Sequence, residues 1–214
     1  MAPEMSAEAA TPPKVLLVHG IWNARHWLAP FAVRLRREGL APELFGYDSV
    51  LRDPEHAGDR LIAHLRRKPV ELLVGHSLGG LVILEALRRA PDLPVKRVVC
   101  LGSPLCGSGV AAAMGGRAPF SLVLGRSRSL LETGCAPWQG PVEVGVVAGN
   151  RARGVGGLFA RIEGESDGTV SVAETRLPGL TDHCIVPASH SGLVLSAKAA
   201  HQTARFLLDG RFGD

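Results

Sequence analysis

No apolar run in this 214-residue chain approaches the roughly 20 residues that a membrane-spanning helix needs. Runs such as Val15 to Val18 and Leu81 to Leu84 fall far short of it. Residues 1–13 carry Glu4 and Glu8 and lack a basic segment followed by an apolar one. They read as a flexible leader, not a signal peptide, and stable membrane insertion is not expected. Cysteine is scarce as well: Cys100, Cys106, Cys135 and Cys184 form no C-x-x-C pair and keep no metal-ligand spacing with histidine. Reduced thiols in a cytoplasmic protein are the expectation. The chain also lacks G-x-x-x-x-G-K-[ST], H-E-x-x-H and any G-x-G-x-x-G after a strand, so neither a metal nor an organic cofactor is expected.

Aromatics are few (three Trp, one Tyr, six Phe), and this weighs against a nucleic-acid partner despite a net charge of +4. The basic clusters Arg36-Arg37, Arg66-Arg67-Lys68 and Arg88-Arg89 each precede a glycine or proline where a helix should end. Cations there are favoured by the helix dipole, and none has aromatics interleaved. What the chain does have is 46% hydrophobic residues over a length that can bury an ordinary core.

Those apolar residues alternate between two patterns. Lys14 to Val18, Pro42 to Tyr47, Val70 to Val74 and Val95 to Leu101 are short, nearly continuous runs that suit strands buried on both faces. Between them, Trp27, Phe31 and Leu35, then Leu61, Ile62 and Leu65, then Leu78 to Ala90, follow helical spacing. Val142 to Val147 and Cys184 to Val186 resume the strands, and Gly192 to Leu208 closes the chain as a helix. This is βαβ order around a mostly parallel sheet with helices on both faces, one domain over residues 14–210. Right-handed crossovers bring the C-terminal ends of all its strands to one edge. Residues 103–141 break the alternation and read as a short helical, lid-like insertion over that edge. Its apolar residues Val110, Met114, Phe120, Leu122, Val123 and Leu124 either wall a short pocket over that edge or pack on the sheet.

Gly75-His76-Ser77-Leu78-Gly79 sits between a buried strand and a strong helix. A strand-to-helix turn this tight pushes the Ser77 hydroxyl out at the strand's C-terminal end, beside a helix N-terminus that favours an oxyanion. A serine needs a base, and the base an orienting acid; in a strand–turn–helix architecture of this kind the acid and then the base follow the serine. Asp167 lies in a turn after the Val142 strand, and His190 directly after the Cys184 strand. Asp182 and His183 precede that last strand and so lie near its opposite end, while His26, His64 and His201 fall within helices. Asp48, ahead of the serine, is a distant backup. His19-Gly20-Ile21 follows the first strand, where the Ile21 amide could join that of Leu78 at the oxyanion.

Val18-His19-Gly20, Gly75 to Gly80, Gly102-Ser103-Pro104, Ser166-Asp167-Gly168 and His190 together resemble the α/β-hydrolase superfamily, with a closer likeness to small bacterial lipases and esterases. The resemblance covers residues 14 to 208. It implies the α/β-hydrolase fold, with Ser77 as nucleophile, Asp167 as acid, His190 as base, and Ile21 and Leu78 as oxyanion donors. Trp22, His76, Leu105 and Val170 are the expected substrate-binding neighbours. The implied activity is hydrolysis of a small-molecule carboxylic ester through an acyl-enzyme. Acyl transfer or thioester cleavage would use the same triad, and a non-catalytic binding protein is the remaining alternative.

Overall fold

Six parallel strands lie in the order β2-β1-β3-β4-β5-β6. They are β1 Lys14–Val18, β2 Ala41–Phe45, β3 Leu72–His76, β4 Arg97–Leu101, β5 Glu143–Gly149 and β6 Asp182–Val186. The computed structural model describes residues 11–115, 124–152 and 164–213. In register, Val18 faces Phe45 on one side and Gly75 on the other, and His76 faces Leu101. Leu101 pairs in turn with Val147, and Gly149 with Val186. The strands therefore finish together, and whatever follows them shares one edge.

Alternate strand residues feed two cores, which is why the strand sequences are apolar throughout rather than every second residue. Leu16, Val18, Leu73, Cys100 and Val144 pack with α2 (Pro54–Arg67) and α3 (Leu78–Arg89). Val15, Leu17, Val74, Val99 and Leu101 face α1 (Ala29–Arg37) and the last two helices. Pro42 lies on the edge strand β2, whose first residue, Ala41, donates its N–H inward to the Pro13 carbonyl at 2.8 Å. The expected leader is thus tied to the sheet by its last residue, and residues 1–10 lie outside those described.

Several elements differ from the sequence reading. β3 runs to His76, two residues further than Val74, because its ladder with β4 continues to the pair His76–Leu101. Trp27 is not on the buried face of α1. Pro30, which lacks an N–H and suits a helix's first turn, starts α1 at Ala29. That leaves Trp27 in a 3₁₀ turn, 42% exposed, with Leu28 buried in its place. The closing helix is two: α6 (His190–Leu195) and α7 (Ala197–Asp209). The backbone of Ser196 between them is extended, and its Oγ accepts the Ala199 N–H at 3.1 Å as an N-cap. In the 103–141 segment, α4 (Gly109–Gly115) and α5 (Arg128–Thr133) form, and Val110, Met114 and Leu124 are buried in the core with α2 and α3. They pack as core rather than wall that pocket. Phe120, Leu122 and Val123 lie outside the described residues.

The α7 face shows how tightly the layers fit. Phe206 is fully buried, and a Cβ placed on Gly145 of β5 would lie 2.8 Å from its ring. Phe206→Ala is expected to lower the unfolding free energy by about 3–5 kcal/mol, because the rigid strand below cannot close the hole. Urea denaturation measures it, and a loss near zero would contradict this packing.

Burial lowers the proton affinity of four histidines, His64 among them. The other three are His19, His76 and His183, with His76 brought down from the ordinary imidazole range to about 3 and His183 to about 4. His19 Nδ1–H donates to the Gly20 carbonyl at 2.9 Å. His183 Nε2–H donates to Thr175 Oγ1 at 2.8 Å, whose own proton goes to the Val172 carbonyl. Below about pH 6.5 the unfolded chain takes up protons that the folded protein refuses, so acid favours unfolding. Stability should fall from about pH 7 to pH 4.5, by roughly 1 kcal/mol per unit for each fully excluded proton. Urea unfolding across that range tests the expectation, with His183→Gln expected to give a shallower slope. An equal midpoint at both pH values would refute it.

Candidate active site

β3 ends at His76 and α3 begins at Leu78, so the reversal from strand to helix falls on Ser77 alone. Its backbone sits at φ 55° and ψ −123°, a conformation that side-chain-bearing residues rarely adopt. Crowding enforces it. A Cβ on Gly75 would lie 2.4 Å from the Gly80 nitrogen, and one on Gly79 2.3 Å from the Val18 carbonyl oxygen. Only glycine fits either place. The Ser77 amide donates to the Leu101 carbonyl at 2.9 Å, which pins the turn to the next strand. Contrary to the expectation of a projecting side chain, Ser77 is only 8% exposed.

His190, first residue of α6, brings its ring over this turn, with Nε2 3.1 Å from Ser77 Oγ. Its Nδ1 lies 2.7 Å from Asp167 Oδ2. Asp167 is 1% exposed, so its carboxylate needs partners in place of water. Oδ1 finds two: the amides of Thr169 at 2.9 Å and Val170 at 2.7 Å. The Asp167 carbonyl also accepts the His190 N–H at 2.9 Å, so backbone and side chain both fix the pair. Ser77, His190 and Asp167 thus form one continuous chain of hydrogen bonds.

Beside them, Gly20 and Ile21 follow β1, and a Cβ on Gly20 would meet Ser77 Cβ at 2.9 Å. Leu78 opens the helix, and first-turn amides have no acceptor within their own helix. Trp22 is half exposed with φ 58°, a second strained residue at this edge. The other expected substrate neighbours are less open. Leu105 is fully buried in the larger core, Val170 is 3% exposed with its amide on Asp167, and His76 is 2% exposed. The rejected acids are engaged elsewhere: Asp48 Oδ1 closes a turn onto the Val50 and Leu51 amides, and Asp182 accepts from the amides of His183 and Phe212.

The sequence reading gave neither Tyr47 nor Gly102 a role of its own at the site. The Tyr47 hydroxyl donates to the His19 carbonyl at 2.8 Å, and its ring stacks on the His19 imidazole. As the chain's one tyrosine, placed at a strand end, it carried a faint signal. At Gly102, with φ +59°, a Cβ would come within 3.4 Å of both Asp167 Oδ2 and His190 Nδ1. A cleft of about 690 Å³ between the N-terminus of α2, the end of α3 and α5 includes none of these residues. Two of its arginines are already paired, Arg89 with Asp59 and Arg126 with Asp53. Among the described residues no group of His, Cys, Asp and Glu is arranged to hold a metal, and no helix is long and apolar enough to cross a membrane.

No curated protein matches the sequence. Among solved structures, the mature form of a Bacillus licheniformis lipase is 23% identical, with a TM-score of 0.74 over 97% of this chain and 95% of its own. A metagenomic carboxyl esterase is 19% identical, with a TM-score of 0.65 over 94% of this chain and 77% of its own. The type II thioesterase of a borrelidin biosynthetic cluster is 17% identical, again at 0.65, over 93% and 92%. At such identities the likeness is one of fold. Residues 15–185, running from β1 into β6, match the alpha/beta hydrolase family, and the chain belongs to it.

Proposed function

We propose that the protein is a serine hydrolase that cleaves small carboxylic esters through an acyl-enzyme. The observation that carries this reading is the unbroken chain from Ser77 Oγ through the His190 ring to the buried Asp167 carboxylate. A serine hydroxyl is a weak nucleophile near neutral pH and becomes useful only when a base takes its proton as it attacks. His190 Nε2 is that base. Asp167 holds Nδ1–H and so keeps Nε2 bare, and it stabilises the imidazolium that forms.

In the first step Ser77 Oγ bonds to the ester carbonyl carbon while its proton moves to His190 Nε2. The carbonyl oxygen becomes an oxyanion, received by the Ile21 and Leu78 amides at the positive end of α3. Collapse of this intermediate breaks the bond to the leaving alcohol, which departs with the proton from His190. Water then repeats the sequence, giving its proton to His190 and releasing the acid. The four free thiols suit a reducing compartment such as the cytoplasm.

Hydrolysis of p-nitrophenyl esters from acetate to palmitate, together with labelling by a fluorophosphonate, tests this reading. Ser77→Ala should abolish both while leaving the fold intact. Activity above a few per cent in that variant would place the nucleophile elsewhere. Asp167→Asn should lower kcat by up to about 10⁴-fold, since the imidazole then loses its orienting carboxylate. Asp182→Asn, at the far end of β6, should stay close to wild type, and the reverse ranking of these two variants would overturn the assignment of the acid.

A further inference from the structure

The residue before the serine was expected to touch substrate, but its surroundings give it another task. His76 is the last residue of β3 and is 2% exposed. Its Nε2 lies 3.2 Å from the backbone carbonyl of His190, and since a carbonyl only accepts, Nε2 carries the proton and donates. The two imidazoles sit 5.0 Å apart, centre to centre, tilted by 41°. Its other nitrogen, Nδ1, is buried with no hydrogen-bond partner among the described residues. That atom faces the turn after β1, where a Cβ on Gly20 would lie 3.5 Å away. The ring is therefore a wedge between the turns that follow β1 and β6.

We infer that His76 is a positioning residue for the base: its Nε2–H holds the His190 backbone from behind, so that the His190 ring reaches Ser77 and Asp167 together. The inference rests on the reading of Ser77 and His190 as nucleophile and base. The backbone of His190 is otherwise tied to this edge at its N–H, which donates to the Asp167 carbonyl at 2.9 Å. A bond at the carbonyl as well fixes the peptide on both sides of the Cα, and hence the direction of the side chain. Burial makes the same histidine a suitable neighbour for a base that becomes a cation during turnover. Held neutral, it sets no like charge beside the imidazolium.

Replacement at position 76 tests this with three variants. The amide nitrogen of glutamine reaches about as far as Nε2, that of asparagine only as far as Nδ1, and phenylalanine fills the space with no donor. Steady-state hydrolysis of p-nitrophenyl butyrate, the rate of fluorophosphonate labelling and thermal unfolding are measured for each. His76→Asn and His76→Phe should lower kcat and the labelling rate by about 10–100-fold with KM unchanged, as expected for a small misplacement of a catalytic group. His76→Gln should restore most of the loss. The inference is overturned if His76→Asn keeps the wild-type kcat, or if His76→Gln is as impaired as His76→Asn while both are folded. It is equally overturned if the loss appears in KM alone, which would make His76 a substrate contact. Should His76→Phe fail to fold, the glutamine–asparagine pair decides, and failure of all three to fold would assign His76 to the fold alone. A wild-type protein inert to both ester and probe would remove the hydrolase reading itself. A reactive wild type matched by its variants would remove only this one.

Discussion

The first turn of α3 lies so close to β1 that no side chain can come between them, as the 2.3 Å from a hypothetical Gly79 Cβ to the Val18 oxygen shows. Most of the edge follows from this contact. The chain leaves β1 toward β2 on one side, and β3 continues toward β4 on the other, so a crevice opens between β1 and β3. Ligands of open α/β sheets bind where the strand order reverses in this way. To enter a helix inside so narrow a crevice, the chain must reverse within a single residue, and the strain falls on Ser77. The same closeness sets the turn after β1 against the serine, with a Cβ on Gly20 only 2.9 Å from that of Ser77.

A buried carboxylate is the second organising element. Asp167 has given up water and would destabilise the fold if its partners were lost. The loop from Glu165 to Thr175 is built around it. Thr169 and Val170 turn their amides to the carboxylate, Val172 N–H returns to the Glu165 carbonyl, and the Ser171 amide is taken by Glu174. The other oxygen of Glu174 accepts the Gly109 amide at the start of α4, so the acid's loop and the inserted segment share one carboxylate. The geometry at His190 thus draws on residues far from it in the chain.

Much of this was legible in the sequence. The parallel sheet and its shared edge followed from apolar runs alternating with helical spacing, whereas the order of the strands across the sheet did not. Ser77, Asp167 and His190 stood out because each directly follows a strand or lies in the turn beyond one. What escaped depends on which atoms meet in space. Whether Trp27 or Leu28 turns inward is decided by Pro30, and a serine within a helical pattern carries no mark that it will cap a new helix, as Ser196 does. Nothing in G-x-S-x-G says whether the x side chain points to solvent or, as with His76, back into the protein. That depends on β6, more than 100 residues later. The apolar residues of the inserted segment were equally ambiguous, since a substrate wall and a second core layer have the same composition.

The proline in β2 has an effect of its own. Amides along a strand point alternately to its two sides, and Ala41 donates inward, so the N–H pointing away from the sheet at the next residue would belong to Pro42, which has none. Of the five residues of this outer strand, only Leu44 is left to offer a donor outward. A second polypeptide aligning itself there would gain hardly any ladder, and at the next residue it would meet Glu43 bound to Lys68. This margin of the sheet is therefore a poor template for adding strands, which works against edge-to-edge aggregation.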